Sequence, residues 1–341
     1  IKECIEKLTN LKNLSAGETE ASFNEITSGV ATPSQIAAFL TSLAIKGETA
    51  KEIVAAAKVM RKKSLKINCG VKLKTLLDTC GTGGSKIDTF NISTCSAFVI
   101  AGAGVKVAKH GNRSASSGCG SADALSSLGV NLDMPPGKVA ESIKKIGIGF
   151  LFAPLFHSSM KYASSVRKEI GIRTIFNILG PLTNPAGANT QVLGVYKKDL
   201  VDKLCKVLKK LGTKRAFVVY GSDAIDEITI TGPTYVAELK NNKIHNFTIT
   251  PADFGFKKSR FPHIKCINAG KSAGIILEIL KGKISLERNI VLMNASCALV
   301  ASGRAKNFKD GVRLASESID SGKALDKLKQ LIKFGKKGNK K

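Results

Sequence analysis

The 341-residue chain has no tryptophan and only four tyrosines. No interleaving of aromatic and basic residues offers the stacking platform that a single-stranded nucleic-acid binder uses. Acidic residues are scarce as well: 26 Asp plus Glu face 53 Lys plus Arg, a formal charge of +27. Such a charge attracts anions without naming one; a phosphorylated metabolite, a nucleic acid and an acidic membrane face all qualify. The eight cysteines, at positions 4, 69, 80, 95, 119, 205, 266 and 297, never form a CxxC and never stand at zinc-ligand spacing to the four histidines. That argues against a structural zinc site, and thiols so scattered suit a reducing cytoplasm better than a secreted disulfide framework. The longest apolar run, residues 97–107, is broken by glycines and Lys106 and is too short to cross a bilayer. No signal peptide precedes Ile1, although the chain starts without Met. The expectation is a cytoplasmic protein with no membrane partner.

What is present is enough apolar material, 43% of the residues, for a sizeable core divided between two domains. Up to about Lys66 the apolar residues recur at helical spacing, with Thr32 and Pro33 reading as N-cap and first helical residue. Near residue 72 the period changes. A short buried strand is expected over 74–79, a helix over 91–103, a strand over 105–108, a helix over 121–128 and another after Pro135 and Pro136. This alternation is the pattern of βαβ units. Further strands are expected over 148–152 and 192–196, with a central one over 216–220. Residues 235–239 and 243–249 read as a hairpin turning at Asn241 and Asn242, and the lysine-rich end as a frayed tail. Residues 157–185 read as helical and are expected to rejoin the first domain. The expected fold is α/β: a small all-helical domain (1–71 and about 157–185) beside a larger α/β domain (72–156 and about 186–341) with a central, mostly parallel sheet.

The chemistry concentrates between Asp78 and Leu128. Glycines 81, 83 and 84 let backbone N–H groups approach a ligand, and the helix after Asn91 points its positive end the same way. Ser93 and Thr94 add hydroxyls, Lys109 adds a charge, and Ser121 opens a second helix. Taken singly, each is as well read as a tight turn or a helix cap; three such loops within fifty residues point to a polyphosphorylated ligand. The dinucleotide fingerprint fails at Lys86, the P-loop pattern before Gly270 fails at Lys265, and no G-x-S-x-G elbow is present. Asp226 and Glu227, after the strand at 216–220, are either an exposed pair or oxygen ligands for Mg²⁺ bridging to substrate phosphates. Arg167 is either a surface cation or a bidentate partner for a planar carboxylate. His110 and Asn112 are either core and turn residues or ligand contacts.

The motifs GTGG, TFNIST, KHGNR, GSAD, RTIFNILGPLTNPA from Arg173 and DEITITGPT from Asp226, in this order, resemble the anthranilate phosphoribosyltransferases of tryptophan biosynthesis, and the resemblance runs over nearly the whole chain. It implies transfer of the phosphoribosyl group of phosphoribosyl pyrophosphate (PRPP) to the amine of anthranilate. It also implies Mg²⁺, two ions carried with PRPP, and a homodimer formed through the helical domain. PRPP would be held by Gly81, Gly84, Ser85, Thr89, Asn91, Ile92, Ser93, Thr94, Lys109, His110, Gly111, Asn112, Arg113, Ser114, Ala115, Ser116, Ser117 and Ser121. Ser93, Asp226 and Glu227 would serve the metal; Gly81, His110, Asn112 and Arg167 would meet anthranilate. Lys109, Asn112 and Arg167 would act by positioning and electrostatics, with no covalent nucleophile. Two positions depart from the family pattern: Ser85 stands where Asp is usual, removing a carboxylate, and Gly118 where Lys is usual, removing a positive charge. A pyrimidine nucleoside phosphorylase and a nucleic-acid-binding relative of the transferase are the alternatives. The phosphorylase's characteristic loops are absent, and the second rests on the charge alone.

Overall fold

The computed structural model of the chain describes residues 1–69, 75–84, 89–114, 118–260 and 268–336. Four helices open it: α1 (Lys2–Thr9), α2 (Ala16–Ser28), α3 (Pro33–Lys46) and α4 (Ala50–Lys63). Ser15, Thr32 and Thr49 each accept a hydrogen bond from the N–H three residues on, and Glu18, Gln35 and Glu52 bond back to the cap residue's backbone. Three successive helices therefore start on capping boxes, and Gly29, at φ 75°, ends α2.

The chain then enters a sheet through β1 (Leu77–Gly81), α5 (Ile92–Gly102), β2 (Val107–Gly111), α6 (Ser121–Ser127), α7 (Pro136–Ile146) and β3 (Ile148–Phe152). It leaves again through α8 (Ala153–Phe156), α9 (Lys161–Ile170) and α10 (Phe176–Leu179), and α9 packs against α2 and α3. It returns as β4 (Thr190–Gly194), α11 (Leu200–Lys210) and β5 (Arg215–Gly221). The hairpin β6 (Thr234–Lys240) and β7 (Lys243–Ile249) follows, then α12 (Ala269–Leu280), α13 (Leu286–Ala301), α14 (Phe308–Asp320) and α15 (Lys323–Lys336). Asn241 and Asn242 both have positive φ, 50° and 58°, as a tight hairpin turn demands.

The strand order is β3-β2-β1-β4-β5-β6-β7, with the first five strands parallel and the last two antiparallel. The fold is thus a small helical lobe on a larger α/β unit with a mostly parallel seven-stranded sheet. The strand expected over 216–220 is β5, an interior strand paired with β4 and β6. The middle strand is β4, because the chain returning from the helical lobe inserts beside β1. The strands expected over 105–108 and 192–196 run over Val107–Gly111 and Thr190–Gly194. The lysine-rich end, 337–341, lies outside the described residues.

Side-chain alternation along the strands splits the core in two. Val192, Phe217 and Val219 join α5, α13 and α15 on one face; Leu193, Ala216 and Val218 join α11 on the other. The second cluster runs on without a break into the helical lobe through Ile175, Phe176, Leu179, Phe23, Phe39 and Ile53. Arg61 of α4 adds a polar tie, donating to the carbonyls of Leu182 and Leu211. The seven described cysteines are all buried, and among the described residues no helix is long and apolar enough to cross a membrane.

Candidate active site

Strands β1, β2, β4 and β5 all end on glycine at the same edge of the sheet: Gly81, Gly111, Gly194 and Gly221. The order of connection reverses beside β1, and in open α/β sheets a ligand crevice forms outside the carboxyl ends at such a reversal. Glycine is required where loops cross this edge. A Cβ on Gly194 would collide with the Asp226 carbonyl, and one on Gly81 with the Asp226 carboxylate. Asp226 can reach β1 only because both side chains are missing.

The loop after β1 is held at each residue. Thr82 donates its N–H to the Gly194 carbonyl (2.9 Å) and its Oγ1 accepts the Tyr196 N–H (3.0 Å). Gly83 donates its N–H to Asp226 Oδ2 (3.0 Å), and the Gly84 carbonyl accepts from the Arg173 guanidinium. Gly83 and Gly84 sit at φ 66° and 74°, a region that only glycine adopts freely.

Asp226 and Glu227 reach this loop from the segment after β5. Glu227 Oε1 accepts the N–H of Ser93 in the first turn of α5 (3.1 Å), so a carboxylate lies at the helix's positive end. Asn294 of α13 clamps the next residue, accepting the Ile228 N–H (3.0 Å) and donating to its carbonyl (3.1 Å). Burial raises the Asp226 carboxyl, against which the Gly83 N–H and the Arg173 charge act. Burial together with the Asp226 charge raises Glu227, with Lys109 opposing. Lys109, only 3% exposed, donates to the Thr79 carbonyl (2.6 Å) and to Ser93 Oγ (3.3 Å). Burial lowers its ammonium, and the Asp78 and Glu227 charges resist.

A second polar group lies behind the first. Asp78 is fully buried in β1; it accepts the His110 N–H (3.2 Å) and the Asn184 amide (2.8 Å), and burial pushes its carboxyl up to about 6. Asn184, in the Gly-Pro-Leu-Thr-Asn-Pro segment, also donates to the Ala108 carbonyl (2.8 Å) and so staples that segment to β1 and β2. His110 Nδ1 lies 3.1 Å from the Gly180 carbonyl. A carbonyl only accepts, so Nδ1 carries the proton and Nε2, buried and unpartnered, is the bare nitrogen. Burial and the neighbouring His157, 5.1 Å away ring to ring, push His110 down to about 3.

The residues expected to bind ligand are thus largely gathered on one edge. Gly81, Gly84, Ser93, Lys109, Asp226 and Glu227 meet at the β1 loop and the start of α5. Ile92 and Thr94 are buried in that helix and face the core. Asn91 caps α5 but its side chain is engaged: Oδ1 accepts from Ser272 (2.8 Å) and Cys119 (3.1 Å), and Nδ2 donates to the Cys119 carbonyl (3.4 Å). Thr89 is half-buried just before it. Gly111 ends β2; Asn112, Arg113 and Ser114 follow it and are ordered by Asp123, which accepts from the Ser114 N–H and from Arg113, and the Asn112 carbonyl accepts the Ser121 hydroxyl. Arg167, on α9, stands over the Phe176 ring at 5.3 Å, half-buried, its guanidinium lowered by burial. Ser85, Ala115, Ser116 and Ser117 lie outside the described residues, and Gly118 is exposed.

Against known proteins, the chain matches two family models: the helical bundle domain of a glycosyl transferase family over residues 2–64, and the a/b domain of that family over residues 73–325. The anthranilate phosphoribosyltransferase of Geobacter sp. (strain M21) is 52% identical over 344 residues, covering 97% of this chain and 98% of that protein. This chain belongs to the anthranilate phosphoribosyltransferase family. Its fold is that of the Thermus thermophilus anthranilate phosphoribosyltransferase, with a TM-score of 0.90 at 36% identity over 98% of this chain and 99% of that one. The Saccharomyces cerevisiae anthranilate phosphoribosyltransferase, solved in complex with PRPP and Mg, superposes with a TM-score of 0.86 at 30% identity, covering 98% and 97% of the two chains. The same yeast protein has been solved with 4-fluoroanthranilate.

For a transferase of this family the donor set fits magnesium. Asp226, Glu227 and Ser93 offer only hard oxygens, and the two carboxylates are buried with raised proton affinity, as acids short of a countercharge are. Two protein carboxylates suit an ion that takes its remaining ligands from water and substrate phosphates. Asp78, Thr82, Arg173, Asn184, Ser272 and Asn294 were not singled out as site residues in the sequence. Asp78 carries one signal, a lone carboxylate in a buried strand.

Proposed function

We propose that the protein transfers the phosphoribosyl group of PRPP to the amine of anthranilate, giving N-(5-phosphoribosyl)anthranilate and pyrophosphate. The observation that carries this reading is the meeting of the glycine loop, the Ser93 end of α5, Lys109 and the Asp226–Glu227 pair at one sheet edge, with Arg167 on a helix of the lobe that packs beside it. The C–O bond between the ribose anomeric carbon and pyrophosphate breaks, and its electron pair leaves on the pyrophosphate. The aromatic amine forms the new C–N bond and gives up one proton. Lys109 and the positive end of the α5 dipole stabilise the charge gathering on the departing group. Arg167 holds the anthranilate carboxylate, and Asn112 orients the weak nucleophile. Asp226, Glu227 and Ser93 would hold magnesium, which supplies charge neutralisation on the phosphates when bound.

In this reading two ions accompany PRPP. Residues 1–71 and about 157–185 form the acceptor side and the homodimer face; 72–156 and about 186–341 form the donor side. Exposed Leu11, Val30 and Ile45 on the helical lobe, at 65%, 70% and 72%, support a buried partner surface there. The location expected is the cytoplasm. Nucleic-acid binding and nucleoside phosphorolysis are disfavoured by the family relationship. The deciding assay follows anthranilate fluorescence after addition of protein, PRPP and Mg²⁺. Loss of signal dependent on all three is expected; none across a magnesium series would overturn the proposal.

A further inference from the structure

Arg173 is assigned no role by the reading above. It follows α9 by three residues, on the segment that returns from the helical lobe, yet its guanidinium spans 89 residues of sequence to donate to the Gly84 carbonyl. It packs so closely that a Cβ on Gly84 would lie 2.7 Å from Nη2 and 3.0 Å from Cζ. Its planar group lies 4.4 Å over the Tyr196 ring, and the Tyr196 N–H binds Thr82 Oγ1. Thr82, Tyr196, Arg173 and Gly84 therefore form a closed ring of contacts around the loop whose middle residue, Gly83, is bound to Asp226.

Chemistry gives this ring a purpose. A loop that lies against an anion must keep its carbonyl oxygens, which carry partial negative charge, away from or masked against that anion. The Gly84 carbonyl is a loop oxygen that a cation covers, and Tyr196 supplies a flat face on which a planar guanidinium can stack while its N–H groups still point at the carbonyl. We infer that Arg173 is a positioning residue for the donor substrate, which masks the Gly84 carbonyl and holds the glycine loop, braced on Tyr196, in the form that accepts the pyrophosphate group of PRPP.

The inference rests on the PRPP reading, and its test separates the two. Arg173 is exposed, so its replacement leaves the core intact. Arg173→Ala is expected to raise the PRPP KM at least about tenfold while the anthranilate KM at saturating PRPP stays within about twofold. Arg173→Lys should recover only part of the loss, because the ammonium lacks the planar fork, and millimolar guanidinium should restore the alanine variant. Tyr196→Phe should behave as wild type, and Tyr196→Ala should shift PRPP KM in the same direction by less. Equal rises in both KM values without guanidinium rescue, or a PRPP KM within twofold of wild type, would overturn the inference while leaving the transferase reading intact. Calorimetry with inorganic pyrophosphate and Mg²⁺ reads the same residue even if wild type does not consume anthranilate: weaker binding to Arg173→Ala supports the inference, and unchanged binding overturns it.

Discussion

The helical lobe and the carboxyl edge of the sheet handle buried charge in opposite ways. In the lobe, Glu52 is fully buried and fully satisfied: it accepts from Lys46 (2.8 Å), the Thr49 N–H (2.7 Å) and hydroxyl (2.8 Å), and the Leu14 N–H (2.8 Å). Burial opposes its charge, but Lys46 and these N–H groups prevail and hold the carboxyl below its usual range. At the sheet edge, burial prevails: Asp78, Asp226 and Glu227 are all raised, His110 is lowered, and its Nε2 has no partner. One region spends its polar contacts on stability. The other keeps buried carboxylates whose charge its own contacts do not compensate.

The largest effects should separate the two. Glu52→Ala leaves Lys46 buried without its partner and is expected to cost about 3–5 kcal/mol of stability, read by urea unfolding, with kinetic constants per folded molecule unchanged. Glu227→Gln should do the reverse: kcat/KM for PRPP falls about 100-fold or more, while the melting temperature holds or rises because a buried like-charge pair has gone. If Glu227→Gln unfolds the protein, the edge is built for stability after all and the contrast breaks.

Arg167 tests the boundary between the regions, since it belongs to the lobe by its Phe176 contact and to the site by its proposed role. Arg167→Ala should raise the anthranilate KM about 10- to 100-fold and the PRPP KM far less. Equal rises would place Arg167 in the lobe's packing rather than against the substrate.

What the sequence revealed divides along the same line. Local signals were legible: Thr32 followed by Pro33 marks the start of α3, and the glycines of the loops announce tight backbone wherever they occur. So was the strand-helix alternation, because periodicity is local too. The contacts that shape the site are not local. Asn184 reaches Asp78 across 106 residues, Ser272 reaches Asn91 across 181, and Asn294 grips Ile228 across 66. Nothing in the residue types foretells such pairings, since a lone Asn or Ser reads as a turn or a cap. The order of the strands is not local either: the apolar run of β5 is that of any interior strand buried on both faces, and only the insertion of β4 beside β1 settles its neighbours.

Acid should reach the sheet edge before the lobe. His110 is held at about 3 and His157 at about 4, both chiefly by burial, against about 6.5 when unfolded. Their folded values are depressed, so the unfolded chain takes up protons first: their contribution is complete above pH 6.5 and is lost as pH falls towards 3–4. At pH 5 each should cost about 2 kcal/mol. Asp78, raised to about 6, runs the other way, its contribution being present at low pH and lost as pH rises through 6. Glu52 stays charged until pH falls below its usual range. Glu227, raised to about 8, regains stability over the same range as Asp78 does, so the histidines are isolated by difference: between pH 7 and pH 5 the melting temperature should drop less, or rise more, in His157→Phe than in wild type. Equal changes would mean that the histidines are not the acid-sensitive groups.

The smallest test places similar hydroxyl chemistry in both regions. Thr32 accepts the Gln35 N–H at the start of α3 (3.3 Å), and Ser272 accepts the Asn91 N–H (3.1 Å) while donating to its side chain at the start of α5. Either change to alanine should cost about 1 kcal/mol of stability. Thr32 touches nothing at the sheet edge, so Thr32→Ala should leave both KM values alone. Ser272→Ala removes the shortest of the ties on the Asn91 side chain, at the helix end that Ser93 and Glu227 share, and should raise the PRPP KM a few-fold with the anthranilate KM unchanged. Matching stability losses with unlike kinetics would mean that the sheet edge is tuned through its supporting contacts as well as through the groups that face the ligand; matching kinetics would confine that tuning to the facing groups.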